Sequence, residues 1–418
     1  MTNSKSILEQ GRQSNTMDSE KISDLKAQII NYSNQCVKCG LCLSGCPTYK
    51  VYKNEAKSPR GRLSLMQALA EGKLESTQSL KEHLDTCLHC LACEGLCPSN
   101  VAYGKSLNAT KELWASTTKS NESFAKVPLS IDLIISTPKL IQYCRTAVYI
   151  YQKTKLNRAF KSLFAKTNLG RIESILPDIA KPVDLRTVAQ AKINTKMKPV
   201  QLFLGCISQI TDQKTSIDTI RLLQAFGYKV NIPQLQTCCG AMHLHAGHKI
   251  RYQDFLLQNQ KAFDPKIPII YSASGCGMHI APDSHEVEEI CEFLTKAIKT
   301  PTFKPLKANV LVHTPCTLKQ HSTNPMAATN LLKHIPEIKL STMKKDSCCG
   351  SAGLNMIKNP NLAENILDTL LHQELICPPN FLVTSNIGCS MHIVKHLKKQ
   401  NKNISVVHPV TLLAQQLL

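Results

Sequence analysis

Aromatic side chains make up only 5% of the 418 residues and include a single tryptophan, too sparse a supply for a surface that stacks on nucleic-acid bases. No stretch approaches the ~18 consecutive apolar residues of a membrane-spanning helix. The polar segment Met1–Asn34 has no apolar core of a secretory signal. No G-x-G-x-x-G or comparable phosphate-cradling loop occurs, and Gly350-Ser351-Ala352-Gly353 is too short a match. Acidic residues are also scarce, 30 against 50 Lys plus Arg, for a formal charge of +20. That balance suits nucleic acid, an anionic membrane surface or an acidic protein. The basic residues are dispersed, with no run of five or six, so solubilising surface charge is the simpler reading and nucleic acid is not expected. The hydrophobic share of 43% excludes wholesale disorder, and the length suits about two to four domains.

What the chain has in excess is cysteine, 19 residues. Without a signal peptide these point to a reduced, cytoplasmic compartment and to metal or redox chemistry. Cys36, Cys39, Cys42 and Cys46 precede Pro47, and Cys87, Cys90, Cys93 and Cys97 precede Pro98. Each set reads C-x2-C-x2-C-x3-C-P, the run of two-cluster ferredoxins. Three closely spaced thiolates wrap one face of a cubane, and the fourth, set one residue further on, turns toward the other cluster. The expected ligands are therefore Cys36, Cys39, Cys42 and Cys97 for one [4Fe-4S] cluster, and Cys46, Cys87, Cys90 and Cys93 for the other. Zinc is the competing occupant, but it does not use the third cysteine at x2 spacing. Between the motifs, Leu63, Met66, Leu69 and Ala70, then Leu80 and Leu84, recur at helical spacing and predict two helices. Val37, Leu41, Leu43, Leu88, Leu91 and Leu96 are expected to limit water near the iron.

The second half is duplicated. Cys206, Cys238-Cys239-Gly240 and Cys276 form one series; Cys316, Cys348-Cys349-Gly350 and Cys389 form another. The spacing from Cys206 to Cys238 equals that from Cys316 to Cys348, 32 residues in both. Strands are predicted at Val200–Leu204, Tyr228–Ile232 and Ile267–Ala273, with a helix at Thr219–Phe226. The second unit predicts strands at Val310–His313, Ile338–Ser341 and Phe381–Ser385, and a helix at Ala327–His334. Alternating elements imply a parallel sheet, whose carboxyl-end loops gather the cysteines. Each repeat is a candidate metal or redox centre, against the alternative of small cysteines packed beneath a turn.

The segments Cys36–Pro47, Ser58-Pro59-Arg60-Gly61-Arg62, His83–Pro98 and Val101–Gly104 together resemble the iron–sulfur subunit of glycolate oxidase (glycolate dehydrogenase), and the Cys-Cys-Gly units resemble its cysteine-rich domains. Related domains occur in heterodisulfide reductases, anaerobic glycerol-3-phosphate dehydrogenase and lactate-utilisation proteins. The likeness runs from about Asn31 to the C-terminus. It implies an electron-transfer component of an oxidoreductase. Partner flavoprotein subunits carrying FAD oxidise a 2-hydroxy acid, most simply glycolate to glyoxylate, and this chain passes electrons toward quinone. One departure stands out: both repeats end in C-x2-H, Cys276 to His279 and Cys389 to His392, where heterodisulfide-reductase-like domains have C-x2-C. Further iron–sulfur centres at Cys206, Cys238, Cys239, Cys276 and His279, and at Cys316, Cys348, Cys349, Cys389 and His392, therefore stay open. So do a disulfide-active, heterodisulfide-reductase-like enzyme, and a lactate or glycerol-3-phosphate system.

The expected fold class is α+β multidomain: a mainly helical two-cluster ferredoxin domain followed by two repeated α/β cysteine-rich domains. The expected divisions are a polar tail over 1–25, the ferredoxin-type domain over 26–115, a helical connector and linker over 116–198, and repeats over 199–300 and 301–418. His243, His245 and His248 are candidates for substrate, quinone or proton handling beside the first Cys-Cys-Gly. Arg60 and Arg62 are expected to orient the loop between the cysteine motifs or to lie in solvent, and Cys144, Cys291 and Cys377 to be core residues. Pro128–Tyr151 reads as packing helices, because Pro138 interrupts the span; a peripheral helix on the cytoplasmic membrane face is the alternative.

Overall fold

The computed structural model describes residues 19–117, 127, 129–154, 167–190, 197–280, 285–344 and 347–418. It divides into two compact units. One comprises Met1–Lys126 with His243–Lys249, the other Val127–Met242 with Ile250–Leu418.

The first unit is helical. The helices Ser19–Asn34, Pro59–Ala70 and Tyr103–Thr117 pack on one another, and Gln78–Asp85 closes the group. Leu25, Ile29, Met66, Leu84, Leu107 and Trp114 form its core, each removed almost completely from water. Burial of that extent is worth about 2 kcal/mol per large side chain. The two helices predicted between the motifs are present with the predicted residues inward: Leu63, Met66, Leu69 and Ala70 on the first, Leu80 and Leu84 on the second. The first helix starts at Ser19, inside the segment expected to be tail, because Leu25 and Ile29 extend its buried face toward the N-terminus.

The second unit contains two four-stranded, wholly parallel sheets. The first, in the order β2-β1-β3-β4, uses β1 (Lys198–Phe203), β2 (Tyr228–Asn231), β3 (Ile269–Tyr271) and β4 (Val287–Glu289). The second repeats that order as β6-β5-β7-β8, with β5 (Asn309–His313), β6 (Lys339–Thr342), β7 (Phe381–Thr384) and β8 (Ser405–Val407). Matching connections give matching registers: Val200 pairs with Val230 in the first sheet and Val310 with Leu340 in the second. Both repeats contribute to one shared core, with Val200, Ile220 and Leu222 from the first and Val310, Leu331 and Leu412 from the second.

The helix predicted from Thr219 begins earlier, at Gln213, because the Asp212 carboxylate accepts from Thr215 N (3.2 Å) and caps it. The edge strands β4 and β8 were not foreseen, since three residues carry too short a pattern. Helices Leu129–Ser136 and Pro138–Lys153 do pack: Ile135 and Ile141 are buried against the cysteine-rich core of the first repeat. Pro138 is the first residue of the second helix, where its missing N–H costs nothing. Among the described residues no helix is long and apolar enough to cross a membrane.

Candidate metal centres

In the first unit the segment Ser58–Arg62 builds the site. Ser58 Oγ accepts from Gly61 N (3.0 Å) and caps the helix that Pro59 opens. A side chain at Gly61 would put its Cβ 1.9 Å from the Glu55 carbonyl, so only glycine permits this close backbone approach. Arg60 donates to Glu55 Oε1 (2.6 Å) and to the carbonyl of Lys38 (3.0 Å), which pins the first cysteine loop. Lys38 itself holds a positive φ of 55°. Arg62 turns the other way. It is 1% exposed and donates to His83 O (2.7 Å), Thr48 Oγ1 (3.0 Å) and Thr86 Oγ1 (3.1 Å). Arg62 thus ties together the two ends of the segment between the motifs from a buried position rather than from solvent, while Arg60 pins the first cysteine loop.

Cys46, Cys87, Cys90 and Cys93 line one cavity, together with Leu88 and Leu91. This brings the fourth cysteine of the first motif to the first three of the second. All are free thiols. Burial pushes the thiols of Cys46 and Cys93 up, and bonds from Thr48 and Tyr49 and the charge of Arg62 oppose that at Cys46. Tyr103 Oη donates to Cys87 Sγ at 3.5 Å. A four-sulfur set with apolar walls and hydrogen-bond donors at sulfur suits an iron–sulfur cluster.

Cys36, Cys39 and Cys42 stand on the first loop, with Cys42 opening the short helix Cys42–Gly45. Burial pushes the Cys42 thiol up, a backbone bond from Arg60 opposes that, and the neighbouring Cys36 and Cys39 add to the rise. Gly45 lies directly against Leu96, so the end of the second motif, and Cys97 with it, returns beside the first. Water exclusion differs between the two sets. Leu88 is buried, but Val37, Leu41 and Leu96 are 70%, 56% and 44% exposed, and Cys39 is exposed with them. The expected apolar shield covers the second set and leaves an edge of the first open.

A 4Fe-4S dicluster domain model matches residues 32–101, and a cysteine-rich domain model matches twice, at 200–281 and 310–394. The chain therefore carries a region similar to 4Fe-4S dicluster domains, followed by a duplicated cysteine-rich domain. It is similar over nearly its whole length to iron–sulfur subunits of glycolate oxidase. It is 29% identical over 413 residues to the probable subunit of Bacillus subtilis (strain 168), covering 91% of this chain and 93% of that one. It is 27% identical to the subunit of Escherichia coli (strain K12), with 86% and 89% covered. A shorter relative, lactate utilization protein A of Oceanobacillus iheyensis, is 26% identical over 51% of this chain and 96% of its own.

In each cysteine-rich domain the loops after the first three strands converge, as the parallel topology requires. Cys206 Sγ lies 3.3 Å from Cys238 Sγ, and Cys239 is bonded to both Cys238 and Cys276. In the second domain Cys316 and Cys348 are 4.0 Å apart and Cys349 and Cys389 2.8 Å. None is joined as a disulfide. The second cysteine of each pair is held well below the usual thiol range: Cys239 by bonds from Cys238 and Cys276, Cys349 by bonds from Cys348 and Cys389. A histidine adds to both effects, His279 at Cys239 and His392 at Cys349. His392 Nδ1 donates to the Cys349 carbonyl (3.0 Å), which leaves Nε2 as the nitrogen able to ligate. Four thiols and one imidazole are gathered in each domain, a soft-metal donor chemistry, though among the described residues no three of them close around a single ion position.

Several supporting residues carried no signal in the sequence. Asn259 is fully buried, accepts from Thr237 N (2.8 Å) and donates to Cys238 O (3.0 Å), fixing the first Cys-Cys turn. Asn386 accepts from Gly388 N and Cys389 N and caps the helix bearing Cys389. The two domains meet where Ser274 N donates to Ser385 O (2.9 Å). His243, His245 and His248 group with the first unit rather than with the cysteine-rich core. There the His245 ring lies 4.2 Å from that of His89, and its carbonyl accepts from Lys111 Nζ (2.8 Å). Cys291 is a core residue and Cys144 packs at the core's edge, but Cys377 is exposed, in the turn that follows the helix Pro360–Leu371.

Proposed function

We propose that this chain is the iron–sulfur electron-transfer subunit of a flavoprotein 2-hydroxy-acid dehydrogenase. In this reading Cys36, Cys39, Cys42 and Cys97 hold one [4Fe-4S] cluster, and Cys46, Cys87, Cys90 and Cys93 the other. The observation that carries it is the cavity shared by Cys46 and the second motif, which supports the crossed ligand pattern. Such clusters supply one-electron relay. The chain's own residues set access and environment: Leu88 and Leu91 exclude water from the second site, and Cys39 stands at the exposed edge of the first.

Substrate oxidation belongs to partner subunits carrying FAD, since this sequence has no dinucleotide-binding loop. Glycolate is the substrate the full-length relatives favour, with lactate and glycerol-3-phosphate as competitors. Electrons continue toward quinone. A cytoplasmic, peripheral placement at the membrane is supported by the charge of +20 and by Leu133, Tyr143 and Ile150, all exposed on the helices before β1. The cysteine-rich domains offer a second relay or a metal site of their own.

The decisive experiment is an anaerobic pull-down from the native host, assayed for flavin and for dye reduction by glycolate and by lactate. Bound flavin with glycolate-dependent reduction is the expected result. A brown chain eluting without flavin and active on disulfides would transfer the reading to a heterodisulfide-reductase-like enzyme. A colourless, zinc-loaded chain would overturn it.

A further inference from the structure

Arg62 presents an imbalance. Its guanidinium is among the most buried large groups of the described residues, yet it donates to neutral acceptors: the His83 carbonyl and the hydroxyls of Thr48 and Thr86. Among the described residues no carboxylate forms an ion pair with it. A buried, uncompensated guanidinium is strongly unfavourable, and arginine does not escape by losing its proton. The compensating negative charge must come from what else lines the same cavity, and that is Cys46, Cys87, Cys90 and Cys93.

We propose that Arg62 is the buried counter-charge of the cluster held by Cys46, Cys87, Cys90 and Cys93, and that it raises that cluster's reduction potential. The inference rests on the ligand assignment above. One electron entering from the partner's reduced flavin makes the site more negative by one charge. A fixed positive charge beside it in a medium of low dielectric favours that reduced state and needs no accompanying proton. Thr48 and Thr86 aim the guanidinium, so the positive charge is held in place rather than mobile.

The neighbouring arginine supplies the control. Arg60 is paired with Glu55, and its contact with the cysteine motifs is to the Lys38 carbonyl of the first. It therefore has no part in balancing the second site.

The test is a redox titration, followed by electron paramagnetic resonance, of the full anaerobic chain carrying Arg62→Gln, Arg62→Met, Arg62→Lys or Arg60→Gln. Both neutral variants should shift one cluster's reduction equilibrium at least tenfold toward the oxidised form, about 59 mV for a one-electron couple. The other cluster should not move, Arg62→Lys should shift less than either neutral variant, and Arg60→Gln should leave the shifted cluster as in wild type. A smaller shift, or one in the opposite direction, overturns the proposal. If both neutral variants fail to hold the cluster while Arg62→Lys holds it, the charge itself is required and the proposal stands. If all three Arg62 variants lose it, the side chain's shape is what matters and the proposal falls. A wild-type chain that holds no cluster at all would instead refute the functional reading beneath it.

Discussion

The imidazole of His408 bridges the two cysteine-rich domains: its Nε2 donates to the Ser272 carbonyl at 2.8 Å. Its Nδ1 accepts from Val410 N (3.2 Å) and caps the final helix, Pro409–Gln415. Both bonds use the neutral ring, and burial drives its pKa down to about 4. The folded state therefore binds fewer protons than the unfolded chain between about 4 and 6.5. The stability this group supplies is full above 6.5 and is lost as pH falls through that window, up to about 3 kcal/mol. His408→Ala should lower Tm at pH 7.5, at a cost of about 2 kcal/mol for the cap and the bridge together. It should also flatten the acid limb of Tm against pH. An unchanged acid limb would show that His408 is not the group titrating there.

Glu289 has the opposite sign. Its Oε2 accepts from Cys291 N (2.7 Å) and Glu292 N (3.1 Å) at the start of helix Ile290–Thr295. Complete burial nevertheless pushes the carboxyl up to about 7. A raised acid favours folding below its unfolded pKa of 4.5, and that contribution disappears as pH rises to about 7. Glu289→Gln keeps an acceptor for the cap and removes the charge. It should be more stable than wild type at pH 8, by about 2 kcal/mol, and nearly equal to it at pH 4.5. Between pH 4.5 and 6.5 the two groups oppose each other, so their slopes should emerge only in the single variants. Thermal melts of both across pH 4 to 8 check this.

Crossed ligation makes a distinctive double-variant prediction. Cys46→Ser removes a residue of the first motif, but should cost the cluster of the second. Iron should fall from about eight to about four atoms if the dicluster domain holds all of it. The cluster that survives should then be insensitive to Arg62→Gln, because the guanidinium sits beside the site that was lost. Cys97→Ser should do the reverse and leave a cluster that still responds to Arg62→Gln. If each motif keeps its own four cysteines, these two results exchange places.

Which parts of this architecture could be read in the sequence follows from how local their causes are. The cysteine motifs, the two intervening helices and three of the four strands in each sheet depend on spacing and periodicity within about ten residues, and they appear as expected. The edge strands did not, because β4 and β8 exist through pairing with β3 and β7 and carry little pattern of their own. That Arg62 orients the segment between the motifs was one of two expectations, but its burial was not foreseen, because arginine is seldom buried unless paired. Its acceptors, Thr48 and Thr86, lie 14 and 24 residues away, and no local rule connects them. Asn259 is the same kind of case, reaching back 22 residues to Thr237. The histidines after Cys239 were expected beside the cysteines because they are adjacent in sequence, but the chain carries them into the other compact unit.

The open edge of the first cysteine loop predicts where an electron partner approaches. Val37 and Leu41 are exposed on either side of Cys39, with Leu96 exposed on the second motif beside Cys97. Lys38 lies between them, and Lys50 and Lys53 are exposed on and just after the helix Pro47–Tyr52. An apolar centre with a basic rim matches a partner whose own patch is apolar and ringed by acid. Such pairing raises the association rate and orients the approach. Lys38→Glu leaves the backbone carbonyl that Arg60 holds, so the loop should keep its shape. It should slow association with the flavoprotein partner about tenfold at low salt, and the difference should shrink as ionic strength rises. Leu41→Glu should weaken the complex at least tenfold, about 1.4 kcal/mol, at any salt concentration, because it places a charge in the apolar centre. Iron content should stay at the wild-type value in both variants. If both bind the partner as wild type does, this edge is not the docking face and electrons enter elsewhere.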